Sequence, residues 1–391
     1  IKNEKMKKVI WLYPKLEKWM GGTRYVFECA KELSNHYDVV VICQSSTKLV
    51  RKEFENNHIR LIDLKSYTFT DLFFWIHFWK TINSNINVIS KIIKSNDIII
   101  SSMFPMNIIA NKISNKHIQI IYEPFSFFYT KNIWKDYSIF HHIFFKLCSF
   151  FYQKNDISST QSSNTVLTLS SFEKENIKDI YKINSRVIYE GVNINFFKPS
   201  DTKFFEESYP NCFPIMHSTG FDSYKGTDLV FDSLPSLKRK IPNFKIFITY
   251  TRENKKSLDG YKNFVLKNNL KDNVVFLGLI PYEQLPSLYS FAKIYIEPGV
   301  GRSMSLSNKE AMACGTPVIA GKDAKEEIEN FYNGLLIDSF SKKELINKIL
   351  VIYEDFNNKD YSYSQNALNS INKKFTWKTV AKKICQEIEN L

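Results

Sequence analysis

Long apolar runs are absent from this chain of 391 residues, in which no stretch of 18 consecutive apolar residues occurs. We therefore expect no helix that spans a membrane. The richest apolar segment, residues 139–152, is interrupted by His141, His142 and Lys146. The apolar run at residues 9–13, which follows a basic N-terminus, is too short for the core of a signal peptide.

Cysteine is sparse, and its spacing excludes several classes of site. None of the cysteines forms a C-x-x-C pair, so the sequence has no zinc or dithiol redox signature and no disulfide framework. This pattern is typical of reduced, mostly buried thiols in a cytosolic protein. The six cysteines are Cys29, Cys43, Cys148, Cys212, Cys314 and Cys385.

Acidic residues are few in the first half of the chain. The whole chain has 53 lysines and arginines against 40 acidic residues, a net charge of +13. Residues 1–200 hold 27 of the basic and 17 of the acidic side chains, a net charge of +10. This half therefore favours an anionic partner: a membrane surface, a phosphate-bearing substrate or nucleic acid.

Short apolar runs rich in β-branched residues alternate with helical patterns along the chain. Such runs indicate parallel strands that are covered on both faces of a sheet. The series stops at residues 195–214, which contain three prolines and are interpreted as a linker, and then restarts. The predicted strands are residues 8–13, 38–43, 97–102, 117–123 and 165–170, then 215–220, 244–250, 273–278, 292–298, 317–321 and 334–338.

Two halves of this kind predict an α/β protein with two doubly wound domains and a cleft between them. Ligands bind at the carboxyl ends of the strands in such folds. We place the first domain at residues 1–198 and the second at 199–375.

The segment at residues 297–321 holds the clearest signals of a binding site. Ser307 and Glu310 have the spacing of a capping box, which predicts a helix that Ser307 caps with Glu310 in its first turn. The preceding loop, "GVGRSMS" (299–305), would present backbone N–H groups and the positive end of that helix to a diphosphate. The alternative from local spacing alone is that Glu310 is merely a helix cap.

The segment "EAMACGTPVI" (310–319) resembles the second part of a motif in retaining GT-B glycosyltransferases of glycosyltransferase family four. Other stretches are similar to this family as well: "WMGGTRYVF" (19–27), "VIYEGVNINFFKP" (187–199) and "STGFDSYKGTDLV" (218–230). The resemblance covers most of the chain. It implies a GT-B fold and transfer of a sugar from a nucleoside diphosphate. It also implies that residues 376–391 form a C-terminal helix that crosses back onto the first domain.

The resemblance assigns roles to individual positions of the second half. Glu310 would bind the ribose hydroxyls, which a carboxylate accepts well, and Lys225 before Gly226 would bind the diphosphate. An ordinary solvated surface charge is the alternative for Lys225. The remaining expected donor contacts are in the loop and the helix that follows it: Arg302, Ser303, Met304, Ser305 and Leu306.

In the first half, the resemblance points to Gly21, Gly22, Tyr122 and Glu123. A glycine pair between strand and helix allows the backbone to approach a phosphate or an acceptor closely, although a plain turn has the same pattern. Tyr122 stands where many relatives carry a histidine near the reacting centre. We count Lys225, Arg302 and Glu310 as the catalytic candidates.

Arg302 stands where the family motif has its first glutamate. The arginine that the family has before Lys225 is missing, and Gly220, Phe221 and Asp222 stand in its place. Arg302 would therefore bind the diphosphate in place of the missing arginine, pair with a carboxylate on an acidic sugar, or mark a lost active site. A guanidinium binds either anion with two hydrogen bonds. We favour the first explanation.

The sequence has no D-x-D motif, so we expect no metal and no cofactor, with charge compensation by basic side chains and helix dipoles. The predicted function is a retaining, metal-independent glycosyltransferase in surface glycan assembly. Its partners would be a nucleotide-sugar donor and a glycan or lipid-linked acceptor, without nucleic acid. The alternative is a catalytically inactive GT-B homologue that serves as a binding subunit of a glycosylation complex.

Within residues 131–152, apolar side chains recur at helical spacing and form one stripe, with basic side chains mostly beside it. Residues 71–80 are rich in aromatic side chains. Such a face is typical of a helix that lies in a membrane interface, and a buried core helix has the same periodicity. We therefore expect a cytoplasmic protein, with peripheral binding to the inner face of an anionic membrane as one interpretation of this stripe.

Overall fold

The computed structural model describes residues 6–19, 21–129, 139–219, 225–250, 255–299 and 305–391. These residues fold as two compact units. The first comprises the chain up to Glu190 together with Trp377–Leu391, and the second comprises Gly191–Thr376. Each unit is built on its own parallel sheet, with helices packed against it.

In the described residues, the sheet of the first unit has seven parallel strands in the order β3-β2-β1-β4-β5-β6-β7. The central strands β4 and β5 are buried at every residue, as expected where helices cover both faces. The strands are β1 (Lys8–Leu16), β2 (Asp38–Ser46), β3 (Arg60–Asp63), β4 (Ile98–Ser102), β5 (His117–Ile121), β6 (Thr165–Thr168) and β7 (Arg186–Val187).

Helices connect these strands, and their apolar faces supply the core. The second helix is capped by Thr47 and the eighth by Ser170, each of which accepts a backbone N–H of the first turn. The helices are α1 (Gly21–Leu33), α2 (Lys48–Asn56), α3 (Leu72–Ile76), α4 (Phe78–Ile89), α5 (Met106–Ile113), α6 (Ser126–Tyr129), α7 (Ile139–Gln161) and α8 (Ser171–Tyr181).

The second unit repeats this architecture with a six-stranded parallel sheet in the described residues, in the order β10-β9-β8-β11-β12-β13. Its elements are α9 (Lys203–Ser208), β8 (Phe213–Thr219), α10 (Thr227–Lys240), β9 (Phe244–Tyr250), α11 (Lys255–Lys267), β10 (Val274–Gly278), α12 (Leu285–Phe291), β11 (Ile294–Glu297), α13 (Leu306–Ala313), β12 (Val318–Gly321), β13 (Gly334–Ile337), α14 (Lys342–Asn357) and α15 (Ser362–Lys374).

The last helix, α16 (Trp377–Glu389), belongs to the core of the first unit. Its buried face packs on α1, where the Trp377 ring meets Tyr25 edge to face with centroids 5.4 Å apart. Arg186 and Glu387 form an ion pair at 2.5 Å near the end of this helix. The C-terminal segment therefore returns to the first unit because it supplies buried apolar area there.

The unit boundary lies between Glu190 and Gly191, earlier in the chain than residue 198. Val192 pairs with Thr376, and the buried Phe197 ring lies against Tyr289 within the second unit. The interpretation of residues 195–214 as a linker was wrong, since these residues include Phe197, helix α9 and the start of β8.

Candidate functional site

The candidate site of the second unit lies at the carboxyl ends of β8 and β11. These neighbouring strands start the two opposite halves of the sheet order, which is where open α/β sheets bind ligands. Glu297 is the last residue of β11, and Lys225 precedes α10. The Nζ atom of Lys225 donates to Oε1 of Glu297, and their side chains are 21% and 11% exposed.

Glu297 connects three elements through its carboxylate. Its second oxygen, Oε2, accepts hydrogen bonds from Ser305 Oγ at 2.9 Å and from Tyr295 OH at 3.1 Å. The carboxylate thus joins β11 to the turn before α10 and to the start of α13. Sequence reasoning missed Glu297, although a carboxylate at the end of a buried strand is a detectable signal.

The start of α13 differs from the predicted capping box. The helix begins at Leu306 with Ser305 as N-cap, so Ser307 does not cap it and Glu310 lies beyond the first turn. Ser305 makes no side-chain cap hydrogen bond, because its hydroxyl donates to Glu297. The backbone N–H of Ser305 donates instead to Glu327 Oε1 at 2.7 Å.

Glu327 is the second carboxylate that sequence reasoning missed. It accepts from Asn308 Nδ2 at 2.9 Å and forms an ion pair with Lys309 at 3.4 Å, in which both side chains are fully buried. Burial raises the pKa of Glu327 to about 7, although Lys309 and the hydrogen bonds oppose this shift. The pair fixes the first turn of α13.

Glu310 lies on α13, on the same helix as Leu306, and is 6% exposed. Its Oε2 accepts a hydrogen bond from Tyr289 OH at 3.3 Å. The Tyr289 ring in turn packs edge to face against Tyr295, which donates to Glu297. A short chain of aromatic contacts therefore connects the two carboxylates.

The turn before α10 requires glycine at position 226. Gly226 has a φ of +71°, and a Cβ there would lie 2.9 Å from Cγ of Pro298 and 3.0 Å from its backbone. Both the conformation and the space exclude larger residues. The close approach of Gly226 to Pro298 brings the neighbouring Lys225 to Glu297.

His217 supports this turn from within the sheet. Its Nδ1 lies 2.7 Å from the carbonyl oxygen of Ile296, and its Nε2 lies 3.1 Å from Thr227 Oγ1. Burial lowers the pKa of His217 to about 4, so the ring is neutral near pH 7. A neutral ring donates to the carbonyl and accepts from Thr227, which is the first residue of α10.

The candidate residues of the first unit lie near the carboxyl ends of β1 and β5. A Cβ on Gly22 would lie 2.1 Å from the Tyr13 hydroxyl and 3.4 Å from Tyr122, so the chain approaches these rings closely, whereas Gly21 has open space. The Tyr122 ring packs against Tyr25 with centroids 5.0 Å apart, and burial raises its pKa. Glu123 is exposed to solvent.

A cavity of about 310 Å³ opens at the end of β1. We call it the polar cavity because charged side chains lie in its wall, although glycine and aromatic residues make most of its surface apolar. It is lined by Tyr13, Lys15, Glu17, Lys18, Gly22 and Phe69, among others. Lys15 and Glu17 form an ion pair at 3.0 Å.

Three candidates in the loop before α13, Arg302, Ser303 and Met304, lie outside the described residues, as does Phe221. Of the other candidates in the second unit, Lys225 and Ser305 both contact Glu297, whereas Glu310 is connected to Glu297 through Tyr289 and Tyr295. Among the described residues, no group of three or more histidine, cysteine or acidic side chains is arranged to hold a metal ion.

In a comparison with known protein families, residues 203–369 match the family Glycosyl transferases group 1. An uncharacterized glycosyltransferase of Methanocaldococcus jannaschii is 27% identical over 213 residues, which cover 52% of each chain. A GDP-mannose-dependent alpha-(1-6)-phosphatidylinositol monomannoside mannosyltransferase of Mycolicibacterium smegmatis is 28% identical over 29% of this chain and 31% of its own. The chain thus matches about half the length of the first of these relatives.

Solved structures are similar over nearly the whole chain. A glycosyltransferase from Rickettsia africae superposes with a TM-score of 0.76 at 19% identity and covers 98% of both chains. Anabaena HepE in complex with UDP gives a TM-score of 0.75 at 17% identity, covering 98% of this chain and 100% of its own. These likenesses confirm the predicted fold class, α/β of the GT-B type with two Rossmann-like units.

Proposed function

We propose that this chain, whose residues 203–369 match the family Glycosyl transferases group 1, transfers a sugar from a nucleoside diphosphate to an acceptor. The observation that carries the proposal is the cluster of Lys225, Glu297 and Ser305 at the carboxyl ends of β8 and β11. A lysine held beside a helix start at this edge of a sheet suits an anionic diphosphate.

In the proposed complex, Lys225 contacts the diphosphate while Glu297 holds its side chain in place. The pairing reduces the conformational freedom that Lys225 would otherwise lose on binding. Glu310 binds the ribose hydroxyls, because a carboxylate accepts from two neighbouring hydroxyls at once. The anchoring of α13 by Glu327 and Lys309 positions Glu310 for this contact.

We further propose that the transfer retains the anomeric configuration and needs no metal. Lys225 and the start of α13 would stabilise the negative charge that develops on the departing diphosphate. Arg302 would add a second cation there, in place of the family arginine missing near Phe221. Positioning of donor and acceptor would supply the remainder of the rate enhancement.

The acceptor is proposed to be a glycan or a lipid-linked saccharide that binds the first unit. Gly22, Tyr122 and the polar cavity lie near the strand ends of that unit, where a ligand would reach them. The Mycolicibacterium relative is described by its name as acting on a phosphatidylinositol monomannoside, which supports an acceptor of this chemical kind.

We also propose that the first unit binds the inner face of an anionic membrane. On α7, five apolar side chains are exposed, and α3 exposes three more. Together with the net charge of +10 in residues 1–200, this apolar surface suits an anionic interface. Within the part of the chain that the structure describes, no helix is long and apolar enough to cross a membrane. The exposed residues are Phe140, Ile143, Leu147, Phe150 and Phe151, with Leu72, Phe73 and Ile76.

The proposal is tested by a binding screen of UDP-, GDP-, ADP- and dTDP-sugars, followed by an assay of donor hydrolysis. One donor should bind and be hydrolysed slowly without added metal. If no nucleotide sugar binds, the transferase proposal is wrong, and the alternative of an inactive binding subunit is favoured.

The role of Arg302 is tested by titrating Arg302→Ala with the bare nucleoside diphosphate and with the full donor. Equal weakening of both supports contact with the diphosphate. Weakening for the full donor alone, with an acidic sugar preferred by the wild type, supports contact with a sugar carboxylate.

A further inference from the structure

The first unit contains an apolar cavity of about 450 Å³ beside the polar cavity. Its floor includes the Trp75 side chain, which is 3% exposed, whereas Leu72 and Phe140 at its rim are 56% and 79% exposed. The cavity is lined by Phe69, Leu72, Trp75, Phe127, Phe140 and Phe144, among others. Its volume is in the range of small-molecule binding sites.

Residues 69 and 70 separate the two cavities. Phe69 lines both of them. Thr70, which lines the apolar cavity, accepts a hydrogen bond at 2.8 Å from Nζ of Lys15 in the polar cavity. The backbone of this wall is held by Trp75, whose Nε1 donates to the Phe69 carbonyl oxygen at 2.8 Å. A ligand that passes over Phe69 therefore meets a charged site on one side and an aromatic site on the other.

We propose that these adjoining cavities bind one amphiphile, with an anionic phosphate head beside Lys15 and Lys18 and a single hydrocarbon chain in the apolar cavity. Two lysines against Glu17 leave the polar cavity with a net positive charge, which complements a phosphate. Among the described residues that line the apolar cavity, Asp71 and His141 are the titratable side chains and none is a lysine or arginine, and its aromatic walls gain stability when a chain displaces water.

This inference rests on the proposed function and names its acceptor as a lipid phosphate, with the chain bound by the protein. It differs from adsorption of the apolar surface to a membrane, in which chains stay in the bilayer. A cavity site saturates at one chain per protein, whereas adsorption involves many lipids and leaves their chains in the bilayer.

The test uses bromine quenching of tryptophan fluorescence in the purified full chain. Trp75 lines the cavity, so 12-bromododecyl phosphate below its micelle concentration should quench part of the emission with one saturable site, and dodecyl phosphate should compete. Trp75→Phe should remove this component. Affinity should rise by about fourfold for each added methylene between eight and twelve carbons.

Two variants test where the hydrocarbon chain and the phosphate head of the ligand bind. Leu72→Glu brings a charge to the cavity rim and should weaken binding at least about tenfold. Leu49→Glu is the matched control, because Leu49 is 75% exposed on α2 and lines neither cavity. Lys15→Gln should weaken dodecyl phosphate but leave dodecanol unchanged, which separates the head site from the chain site.

The inference is overturned if quenching does not saturate, if Leu72→Glu binds like Leu49→Glu, or if Trp75→Phe is quenched like the wild type. Nucleotide-sugar binding is measured on the same preparation. Retained nucleotide binding without chain binding removes the lipid phosphate as acceptor and leaves the proposed transferase standing. Chain binding without nucleotide binding contradicts the proposed function itself.

Discussion

Lys225 neutralises Glu297 in the folded protein and is proposed to bind the donor diphosphate, and two substitutions separate these roles. Lys225→Ala leaves Glu297 with Ser305 and Tyr295 as donors but removes its cationic partner. The side chains are 21% and 11% exposed, so the pair lies between the surface and buried classes. We expect a loss of about 1–3 kcal/mol in the free energy of unfolding of the second unit.

This loss should lower the melting temperature by about 2–4 °C for each kcal/mol in a unit of this size. A lost charge-assisted hydrogen bond is worth about 1.5–3 kcal/mol, so the affinity for the nucleoside diphosphate should also fall by roughly 10- to 150-fold. The double variant Lys225→Ala/Glu297→Gln should regain most of the stability, because a neutral amide needs no cation and still accepts from Ser305 and Tyr295. It should not regain affinity.

Differential scanning calorimetry and isothermal titration with the nucleotide that the wild type binds best provide the two measurements. Lys267→Ala is the matched control, since Lys267 is an exposed lysine at the end of α11 in the same unit. The reasoning is refuted if the double variant binds nucleotide like the wild type, because Lys225 would then be only a counterion for Glu297.

Four further predictions follow from the site and the fold. Glu310→Gln should weaken nucleotide-sugar binding roughly tenfold or more, because a neutral acceptor replaces a carboxylate, and the melting temperature should be retained. If calorimetry shows an unchanged affinity, Glu310 has only a packing role. The pKa of His217 falls to about 4 on burial, so the unfolded chain is protonated first and stability is lost as the pH falls below 6.5. Between pH 6.5 and 5 the wild type should lose about 1.5 kcal/mol more than His217→Gln in urea titrations, and equal losses would contradict this assignment. Trp377→Ala should destabilise the first unit by about 3–5 kcal/mol in the same assay, with Lys378→Ala near wild type; a loss below about 1 kcal/mol would argue against the packing of α16. The protein should sediment with phosphatidylglycerol vesicles at low salt and be released at high salt, and protein that stays in the supernatant would contradict membrane binding through residues 139–161.

Much of the fold could be predicted from local sequence. Strands β4, β8 and β9 were predicted nearly to their ends, because parallel strands buried on both faces appear as continuous apolar runs. Strands β3 and β7 were missed, since they have four and two residues and none of these is fully buried. A short, half-exposed strand lacks the apolar run on which such predictions depend.

The predicted capping box shows why local spacing is not sufficient at the site. Ser307 and Glu310 have the right separation, yet Ser305 became the N-cap. The start of α13 was decided by Glu297 and Glu327, which hold the hydroxyl and the N–H of Ser305. These carboxylates belong to other elements, so no pattern within the helix reports them.

The alternation of strands and helices, the Lys225-Gly226 turn and the motif around Glu310 could all be read from the amino-acid order, because each depends on residue types that are neighbours in the chain. Contacts between distant parts of the chain could not be read in this way: Lys225 meets Glu297, which is 72 residues away, and the carboxylates of Glu297 and Glu327 anchor α13. The physical reason is that an ion pair depends on distance in space and on exclusion of water. Both arise when β8 and β11 become neighbours in the sheet.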